Sequence, residues 1–327
     1  MNVLEYRAVQ IWKIFPPFFI LFGTFGNVLT ITVLTQRRNR QTSTAIYLTA
    51  LAVTDLLVLW TGLLRHWIIY MFEIDIRAHS AFGCKLHLFI LYISFQCSSW
   101  FLVAVTTGRF IGVWFPHKVK TVCRTRNVCV IIVAILSFFL ILNMHWFYGA
   151  GLKKNNSTQT FECNLLDNVD YVIFFEHYKW IDLCIFSLVP LTVLTSANVS
   201  IIVRLLTRKR KTRNQVEPTD HVIAERSNRI SQLTITLLIV NTVFIICTPP
   251  ISVYIIWEKD WNESVETNYD KAVLDLTWAI VNMLVYLNNT LNFFLYFLSG
   301  SKFRKQVKEF LCRGRNCYGT NIAQATD

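Results

Sequence analysis

The sequence predicts an all-α membrane protein built as a seven-transmembrane helix bundle, and three observations support this fold class. The 327 residues are 54% hydrophobic and only 16% charged, with a mean hydropathy of +0.41, which is not the composition of a soluble protein. Seven apolar stretches are each long enough to cross the roughly 30 Å hydrocarbon core of a bilayer. Lysine and arginine are concentrated in alternate linkers between these stretches, as in multi-pass membrane proteins.

Taken in order, the predicted spans account for most of the chain and leave no separate soluble domain. They fall at 12–35, 45–71, 83–113, 127–147, 178–205, 230–257 and 271–298. We expect an extracellular N-terminus over 1–11, the transmembrane domain over 12–298, and a short amphipathic eighth helix with a cytoplasmic tail over 299–327. No small-residue cleavage site follows the first stretch, so we expect that helix to remain as the insertion signal.

The chain has a formal charge of +12, and its basic residues are distributed according to the predicted spans. Linkers after the odd-numbered spans hold more than twice as many lysines and arginines as the opposite linkers. This predicts a plasma-membrane protein with its N-terminus outside and its C-terminus in the cytoplasm. A nucleic-acid partner is not expected, because the basic residues follow the membrane topology. Nine cysteines without CxxC spacing give no support for a zinc or redox site.

The third span opens on Cys84 and closes on Arg109, so these residues are expected at opposite membrane faces. Cys163 lies in the long outward loop, where an oxidising compartment would let it pair with Cys84. Two further sets of residues are predicted from this topology. Outward sequons predict N-glycosylation at Asn155, Asn156 and Asn262, and three cysteines within spans are expected to be small packing residues: Cys97, Cys184 and Cys247.

Polar residues inside the spans are costly in a bilayer and therefore point to function. Asp55 lies near the middle of the second span, and Asn27, Asn288, Asn289 and Asn292 are expected to surround it with amide groups. Such a hub suits a monovalent cation or a polar switch.

The outer halves of the helices are unusually polar and aromatic, which predicts an outward-facing ligand cavity. An interfacial aromatic belt is the alternative for several of these side chains. The residues that we assign to ligand binding are Arg65, His66, His87, Leu91, Tyr92, Gln96, Asp182, Tyr254, Trp278, Asn282 and Tyr286, with Tyr70 and Glu258 nearby.

Prolines interrupt two apolar helices and predict kinks there. They are Pro190 in the fifth span and Pro249-Pro250 in the sixth. The basic linker 206–229 adjoins the kinked sixth helix, so movement at the outer cavity would swing an inner surface. This arrangement is typical of a signal transducer.

The residues in order resemble the rhodopsin-like family of G-protein-coupled receptors over nearly the whole chain. The resemblance is carried by Gly26-Asn27, Leu51-Ala52 with Asp55, Cys84, Arg109, Pro190, Phe244, Cys247, Pro250, the run Asn292-Phe293-Phe294-Leu295-Tyr296, and Phe303-Arg304. It implies a heterotrimeric G protein as partner, with arrestin as a further one. It also implies a disulfide between Cys84 and Cys163 that fixes the long loop over the pocket.

Further roles are implied by the same resemblance. Asp55, Ser98, Asn288, Asn289 and Asn292 resemble the family's sodium-binding hub, with no other cofactor expected. The coupling and switch residues would be Gly108, Arg109, Cys247, Thr248, Pro250, Asn292 and Tyr296. Cys312 and Cys317 follow the eighth helix and would be palmitoylated or remain free thiols.

The sequence also departs from the family pattern. Gly108 stands where an acidic residue usually precedes the arginine, and Thr248 replaces the tryptophan of the sixth-helix switch. Phe293 replaces the proline of the last motif, and the usual fourth-helix tryptophan is absent. We expect the missing carboxylate to weaken the inactive state and to raise basal signalling.

The pocket positions exclude two ligand classes by comparison with the family. Tyr286 stands where opsins have the retinal lysine, and Leu91 stands where amine receptors have an aspartate. Charges of both signs favour a short peptide with a basic side chain and a polar or amidated end. Segments such as WFPHKVK resemble invertebrate neuropeptide receptors of the FMRFamide and thyroliberin type. A chemosensory receptor for a small molecule is the alternative. A transporter, a channel and an intramembrane enzyme are less favoured, since internal repeats and catalytic constellations are absent.

Overall fold

Seven long helices and one short helix make up most of the computed structural model, which describes residues 3–36, 42–154, 160–214, 221–299 and 301–312. The helices are α1 (Val3–Leu34), α2 (Ser43–Phe72), α3 (Ala81–Trp114), α4 (Thr125–Gly149), α5 (Val169–Asp182, Leu183–Leu188 and Val189–Asn214), α6 (His221–Cys247 and Pro249–Glu263), α7 (Asn268–Ser299) and α8 (Ser301–Cys312). Short helical turns lie at Ile76–His79, Pro116–Lys118 and Val119–Val122, and strands β1 (Ala150–Lys154) and β2 (Phe161–Leu165) form an antiparallel hairpin. The predicted all-α bundle is confirmed, with this hairpin as a small addition.

Among the described residues, the helices α1 to α6 are long and apolar enough to cross a membrane. The helix α7 is as long as α1, at 32 residues, but its sequence is more polar. Four of its asparagines, Asn282, Asn288, Asn289 and Asn292, are buried inside the bundle. The polar residues of α7 therefore face other helices, as polar groups in membrane spans generally do.

Three helices, α1, α5 and α6, begin well before their predicted positions. They begin at Val3, Val169 and His221, whereas residues 12, 178 and 230 were predicted. The prediction counted apolar residues, and a helix continues past the hydrocarbon core as long as its backbone hydrogen bonds are made. At the start of α5, Asn168 caps the first turn by accepting a hydrogen bond from the Tyr171 N–H at 3.1 Å.

The predicted distortion at Pro190 takes the form of a π-helical turn just before it, at Leu183–Leu188. In this turn each N–H bonds the carbonyl five residues earlier, as the Val189 N–H does with Cys184. Pro190 has no N–H, so the Ile185 carbonyl loses that donor. The Trp100 indole N–H of α3 donates to the Ile185 oxygen at 2.9 Å and satisfies it.

The predicted bend in the sixth helix lies at Thr248, which separates the two helical segments of α6. Thr248 keeps a helical conformation, with φ −89° and ψ −41°, and its N–H bonds the Phe244 carbonyl at 3.0 Å. Pro249 and Pro250 follow directly and have no N–H to continue the helical hydrogen bonds. The hydrogen bonding of the first half of α6 therefore extends to Thr248 and is interrupted after it.

The helices α1 and α7 pack closely because small residues face the contact. A Cβ atom at Gly26 would lie 2.7 Å from Cβ of Phe293, well inside van der Waals contact. The Asn27 amide donates to the Asn289 carbonyl at 3.1 Å beside this contact. Gly26 is therefore required for the approach of the two backbones.

The hairpin is joined to the outer end of α3 by the predicted disulfide between Cys84 and Cys163, whose Cα atoms lie 5.5 Å apart. Cys163 pairs with Leu152 in the β1–β2 register, so both strands are held against α3. Trp146 and Ala150 are buried against the two cysteines.

The eighth helix lies against the bundle through Phe303 and Val307, which are four residues apart and both buried. Arg304 donates to the Leu298 carbonyl at the end of α7. The side chain of Cys312 and the whole of Cys317 lie outside the described part, so their palmitoylation stays a prediction.

Of the cysteines predicted to pack inside the bundle, two are buried, Cys97 and Cys247. Cys184 is exposed on the helix surface, so the prediction was wrong for this residue. It lies within the π-helical turn, which rotates the following side chains relative to an ideal α-helix. Asn262 is exposed at the outer end of α6, whereas Asn155 and Asn156 lie outside the described residues.

Candidate functional site: the outer cavity, the polar hub and the inner end

A buried polar network joins α3, α4 and α5 in the outer half of the bundle. The Gln96 amide nitrogen donates to Oδ1 of Asp182 at 2.7 Å, and its oxygen accepts from Nδ2 of Asn143 at 2.6 Å. The Tyr178 hydroxyl donates to Oδ1 of Asn143 at 2.9 Å. Gln96 is only 1% exposed, so these bonds form in a low-dielectric environment where they are strong. The predicted residues Gln96 and Asp182 are thus brought together.

A second group of predicted residues forms an aromatic stack between α1, α2 and α7. The ring of His66 lies 4.7 Å from Trp12, which also stacks on Tyr70 at 5.3 Å. The Tyr286 hydroxyl lies 3.5 Å from Nδ1 of His66. Trp12 is fully buried, so this stack anchors the outer half of α1 to α2.

A third group lies between α6 and α7. Tyr254 packs on Trp278, with ring centroids 5.2 Å apart, and its hydroxyl reaches the Leu274 carbonyl at 3.4 Å. Asn282 donates its amide to the Trp278 carbonyl at 2.8 Å. Tyr254 of the second half of α6 and Trp278 of α7 thus form an aromatic wall that joins these two helices.

Three more of the residues predicted to bind ligand lie on α3. His87 contacts the Thr61 carbonyl of α2 through Nε2 at 2.8 Å. Tyr92 packs on Trp146, with ring centroids 4.7 Å apart. Leu91 lies next to Gly62 of α2. These side chains are engaged with neighbouring helices, so the predicted set forms several clusters around the outer half.

Arg65 has a partner that the sequence did not indicate. Its guanidinium makes two hydrogen bonds to the Asp75 carboxylate, at 2.8 and 3.1 Å, and Arg77 bonds the same carboxylate at 2.9 Å. Burial raises the pKa of Asp75, but the bonds from the two arginines outweigh it and hold that pKa well below its usual range. Two cations share one anion here, so these three side chains, which we call the outer rim, together carry one net positive charge.

The polar hub forms around Asp55 as predicted. Its fully buried carboxylate accepts a hydrogen bond from Ser98 at 2.8 Å and from Nδ2 of Asn292 at 2.6 Å. Ser98 also lies 3.4 Å from Oδ1 of Asn289. The Oδ1 atom of Asn288 is buried and has no hydrogen-bond partner among the described residues. Asn288 therefore lies near the hub without bonding Asp55 directly.

At the inner end, Arg109 points toward α2, where it donates to the Thr44 hydroxyl at 2.5 Å. Its Nε atom is buried and has no hydrogen-bond partner among the described residues. Cys123 approaches Gly108, with Sγ 3.9 Å from the Gly108 carbonyl oxygen. Tyr296 is buried beside Phe303, with ring centroids 6.1 Å apart.

Among the switch residues on α6, Cys247 and Thr248 are buried beside the bend, and Pro250 opens its outer half. The sequence reasoning missed Asn143, Tyr178, Asp75 and Cys123. Asn143 had a usable signal, because it is a lone amide at the end of an apolar span. Asp75 lies in a loop with no motif, and only the folded chain brings it to Arg65.

The described geometry agrees with known receptors. Residues 26–296 match the model of the family described as 7 transmembrane receptor (rhodopsin family). The chain belongs to this family. Its members are signalling receptors that take an extracellular ligand and couple to a G protein; they are not enzymes. The family's seven-helix bundle agrees with the helices seen here.

Individual relatives are distant but cover most of the chain. The cysteinyl leukotriene receptor 1 of Sus scrofa is 23% identical over 304 residues, covering 92% of this chain and 84% of the relative. The thyrotropin-releasing hormone receptor of Bos taurus is 24% identical over 339 residues, covering 96% and 79%. The human cysteinyl leukotriene receptor 1 is 26% identical over 295 residues, covering 88% and 81%. These relatives are named for two different ligands, a cysteinyl leukotriene and thyrotropin-releasing hormone.

Proposed function

We propose that this rhodopsin-family receptor lies in the plasma membrane with its N-terminus outside and responds to a short neuropeptide, including amidated peptides. Ligand binding at the outer half activates a heterotrimeric G protein at the inner end, with arrestin as a second cytoplasmic partner. Similarity to receptors named for thyrotropin-releasing hormone supports the peptide assignment.

The observation that carries this proposal is the environment of Asp182. Its carboxylate is held by the Gln96 amide, and no cation lies within ion-pair distance among the described residues. A charge in such surroundings is stable when a cationic group of a ligand neutralises it. The N-terminus or a basic side chain of a peptide supplies that cation, and the aromatic wall of Tyr254 and Trp278 offers apolar contact area.

Charged side chains at the outer ends of α5 and α6 extend this surface. They line a cleft of about 400 Å³ that contains Glu258 and the ion pair of Lys179 with Glu176, whose N–O distance is 3.0 Å. Glu258 has no ion-pair partner in the described part of the chain. A peptide longer than two residues reaches from Asp182 toward this cleft.

The test is a screen of amidated neuropeptides with ligand-evoked nucleotide exchange on a G protein as readout. Arg109→Ala serves as the coupling-deficient control. For an activating peptide with a cationic group, we expect Asp182→Asn to weaken potency by about tenfold or more, as for a lost charged hydrogen bond. Asp170→Asn is the matched control, since it removes the same charge from an exposed position on α5. Equal effects of the two variants would refute the role of Asp182.

The net positive rim favours a second candidate, a small acidic molecule. Arg65 and Arg77 share the Asp75 carboxylate, which leaves one positive charge for an anionic ligand. Guanidinium groups bind carboxylates through paired hydrogen bonds. This candidate corresponds to the chemosensory alternative, and the similarity to cysteinyl leukotriene receptors is compatible with it.

The two candidates are separated by variants of this rim. For an acidic agonist, Arg65→Ala is expected to lower potency by about tenfold or more, whereas Asp75→Asn, which frees both arginines, is expected to raise it. Lys271→Ala removes one positive charge from an exposed outer position and is the control. Unchanged potency with normal surface expression would mean that Arg65 serves the structure of the outer loop.

The donor set of the polar hub fits a sodium ion. The Asp55 carboxylate, the Ser98 hydroxyl and the unpartnered Oδ1 of Asn288 are oxygen ligands of the kind that hard cations prefer. We extend the proposal to a sodium ion held by these residues together with Asn289 and Asn292. Such an ion would place a positive charge beside Asp55 and compensate the buried carboxylate.

A further inference from the structure

The inner end of the bundle contains a cavity of about 320 Å³ with a basic character. It lies between α2, α3 and the linker that follows α3, and it is lined in part by Thr44, Gly108, Arg109, Gly112 and Lys120. No carboxylate belongs to its lining among the described residues. Arg109 and Lys120 therefore place positive charge at the cavity, and no acidic side chain of the described lining balances it.

The guanidinium of Arg109 is incompletely satisfied in this cavity. One terminal nitrogen donates to Thr44, while Nε is buried and has no partner among the described residues. A half-buried cation whose hydrogen bonds are incomplete is stabilised when an anion approaches it. An oxyanion in the cavity would compensate the charge of the guanidinium.

The start of α2 adds further donors at the same place. Ser43 and Thr44 are its first two residues, and both line the cavity. The Ala45 N–H is already bonded to the Thr42 hydroxyl oxygen at 3.3 Å. The N–H groups of Ser43 and Thr44 have no acceptor within the helix, and the helix dipole places positive charge there. Phosphate groups bind at helix N-termini for this reason.

The room for a ligand comes from two glycines one helical turn apart on α3. A Cβ atom at Gly108 would meet only Sγ of Cys123, at 3.8 Å, and one at Gly112 would meet only Cγ2 of Val119, at 3.9 Å. Side chains at either position would extend into the cavity. The chain thus lacks the acidic residue that usually precedes this arginine and has an open space beside it.

We propose that this cavity binds a phosphate group, which supplies the negative charge that Gly108 lacks. Arg109, Lys120, Thr44 and the first turn of α2 all border this cavity, and a phosphate has enough acceptor oxygens for the donors of each. The phosphate belongs either to the headgroup of a phosphoinositide in the membrane or to a soluble inositol phosphate. The inference rests on the proposed function in one respect, namely that the inner end faces the cytoplasm.

The test measures binding of tritiated inositol trisphosphate to the purified full-length receptor in phosphatidylcholine nanodiscs, in a buffer without other oxyanions and without G protein. We expect saturable binding by the natural chain. Lys120→Gln should weaken it by about tenfold or more, the effect of losing one charged hydrogen bond. Arg124→Gln should change it by less than about twofold, because this exposed residue of the same linker does not line the cavity.

Two further variants close the site in different ways. Gly108→Asp places a carboxylate beside Arg109, and Gly112→Leu fills the space without charge, so both should abolish binding. Unfolding midpoints by tryptophan fluorescence in probe-free buffer verify that each variant is folded. Unaltered binding by a folded Gly112→Leu variant, or equal weakening by Lys120→Gln and Arg124→Gln, would overturn the proposal.

A competition experiment distinguishes the two sources of the phosphate, a lipid headgroup and a soluble inositol phosphate. Nanodiscs that contain a small fraction of phosphatidylinositol bisphosphate compete with the soluble probe if the lipid headgroup reaches the cavity, and they do not compete if only the soluble anion enters. Nucleotide exchange is measured separately. A receptor that binds the probe but never stimulates exchange would contradict the proposed function and leave the phosphate site intact.

Discussion

Replacing Gly108 by aspartate should lower the ligand-independent activity of the receptor. Gly108 and Arg109 line the same inner cavity, and Nε of Arg109 is buried without a partner among the described residues. A Cβ atom at position 108 meets only Cys123, at an ordinary contact distance of 3.8 Å. The structure can therefore accommodate the new carboxylate, which would hold the guanidinium in the arrangement seen here, where it points toward α2 and donates to Thr44.

The expected size follows from the burial of the pair. A hydrogen bond to a charged group contributes about 1.5–3 kcal/mol, and the lower end applies because both residues are only half-buried. A shift of about 1.4 kcal/mol changes a two-state equilibrium tenfold. Ligand-free activity should thus fall by about tenfold in Gly108→Asp.

The assay is basal nucleotide exchange on a purified G protein with the receptor in phosphatidylcholine nanodiscs, which contain no phosphoinositide. Gly108→Asn is the control, because asparagine has the same shape without the charge. The reasoning is refuted if the two variants have equal basal activity, or if aspartate leaves the natural level unchanged at normal receptor folding.

Three further predictions concern contacts that the fold makes. Trp100→Phe should lower the unfolding midpoint by an amount that corresponds to about 1–3 kcal/mol, because the Ile185 carbonyl loses its donor; an unchanged midpoint would show that water replaces the indole. Gly26→Ala should destabilise the bundle by about 1–3 kcal/mol through its clash with Phe293, and Phe293→Ala in the same chain should recover part of the loss if this contact is the cause. Asp55→Asn should remove any effect of sodium on agonist affinity, measured against potassium at equal ionic strength; a sodium effect that survives would place the ion elsewhere.

Much of the architecture could be predicted because membrane helices obey a simple rule. Backbone groups in the hydrocarbon core are satisfied mainly within their own helix, so the length of the apolar stretches predicts the spans. Pro190 and Pro249 identified the distorted helices for a similar reason, since the missing N–H is a property of the residue itself. The disulfide between Cys84 and Cys163 followed from their shared side of the membrane and from the family resemblance.

The detailed geometry of the distorted helices was less predictable. The sequence does not show that the break at Pro190 becomes a π-helical turn, or that Trp100 of another helix donates to the freed carbonyl. Cys184 was predicted to pack inside and is exposed, because the side-chain direction after a π-helical turn depends on the register of the backbone. Hydropathy counts cannot resolve such a rotation.

For the candidate site, too, the sequence predicted individual residues, and the structure was needed to show their partners. Asp55 was notable in the sequence as a charge in mid-membrane, and in the structure Ser98 and one asparagine of α7, Asn292, bond its carboxylate. Arg65 was also notable, but nothing in the sequence connects it to Asp75, and that ion pair changes the charge available to a ligand.

The sequence by itself therefore determined the family, the seven spans and the residues that are costly to place in a membrane, because these depend on composition and order along the chain. The tertiary structure decided which of those residues are already paired. Asp182 is held by Gln96, Arg65 by Asp75, and Arg109 only in part by Thr44. Whether a charge is available for a ligand depends on partners from distant segments, and only folding brings those segments together.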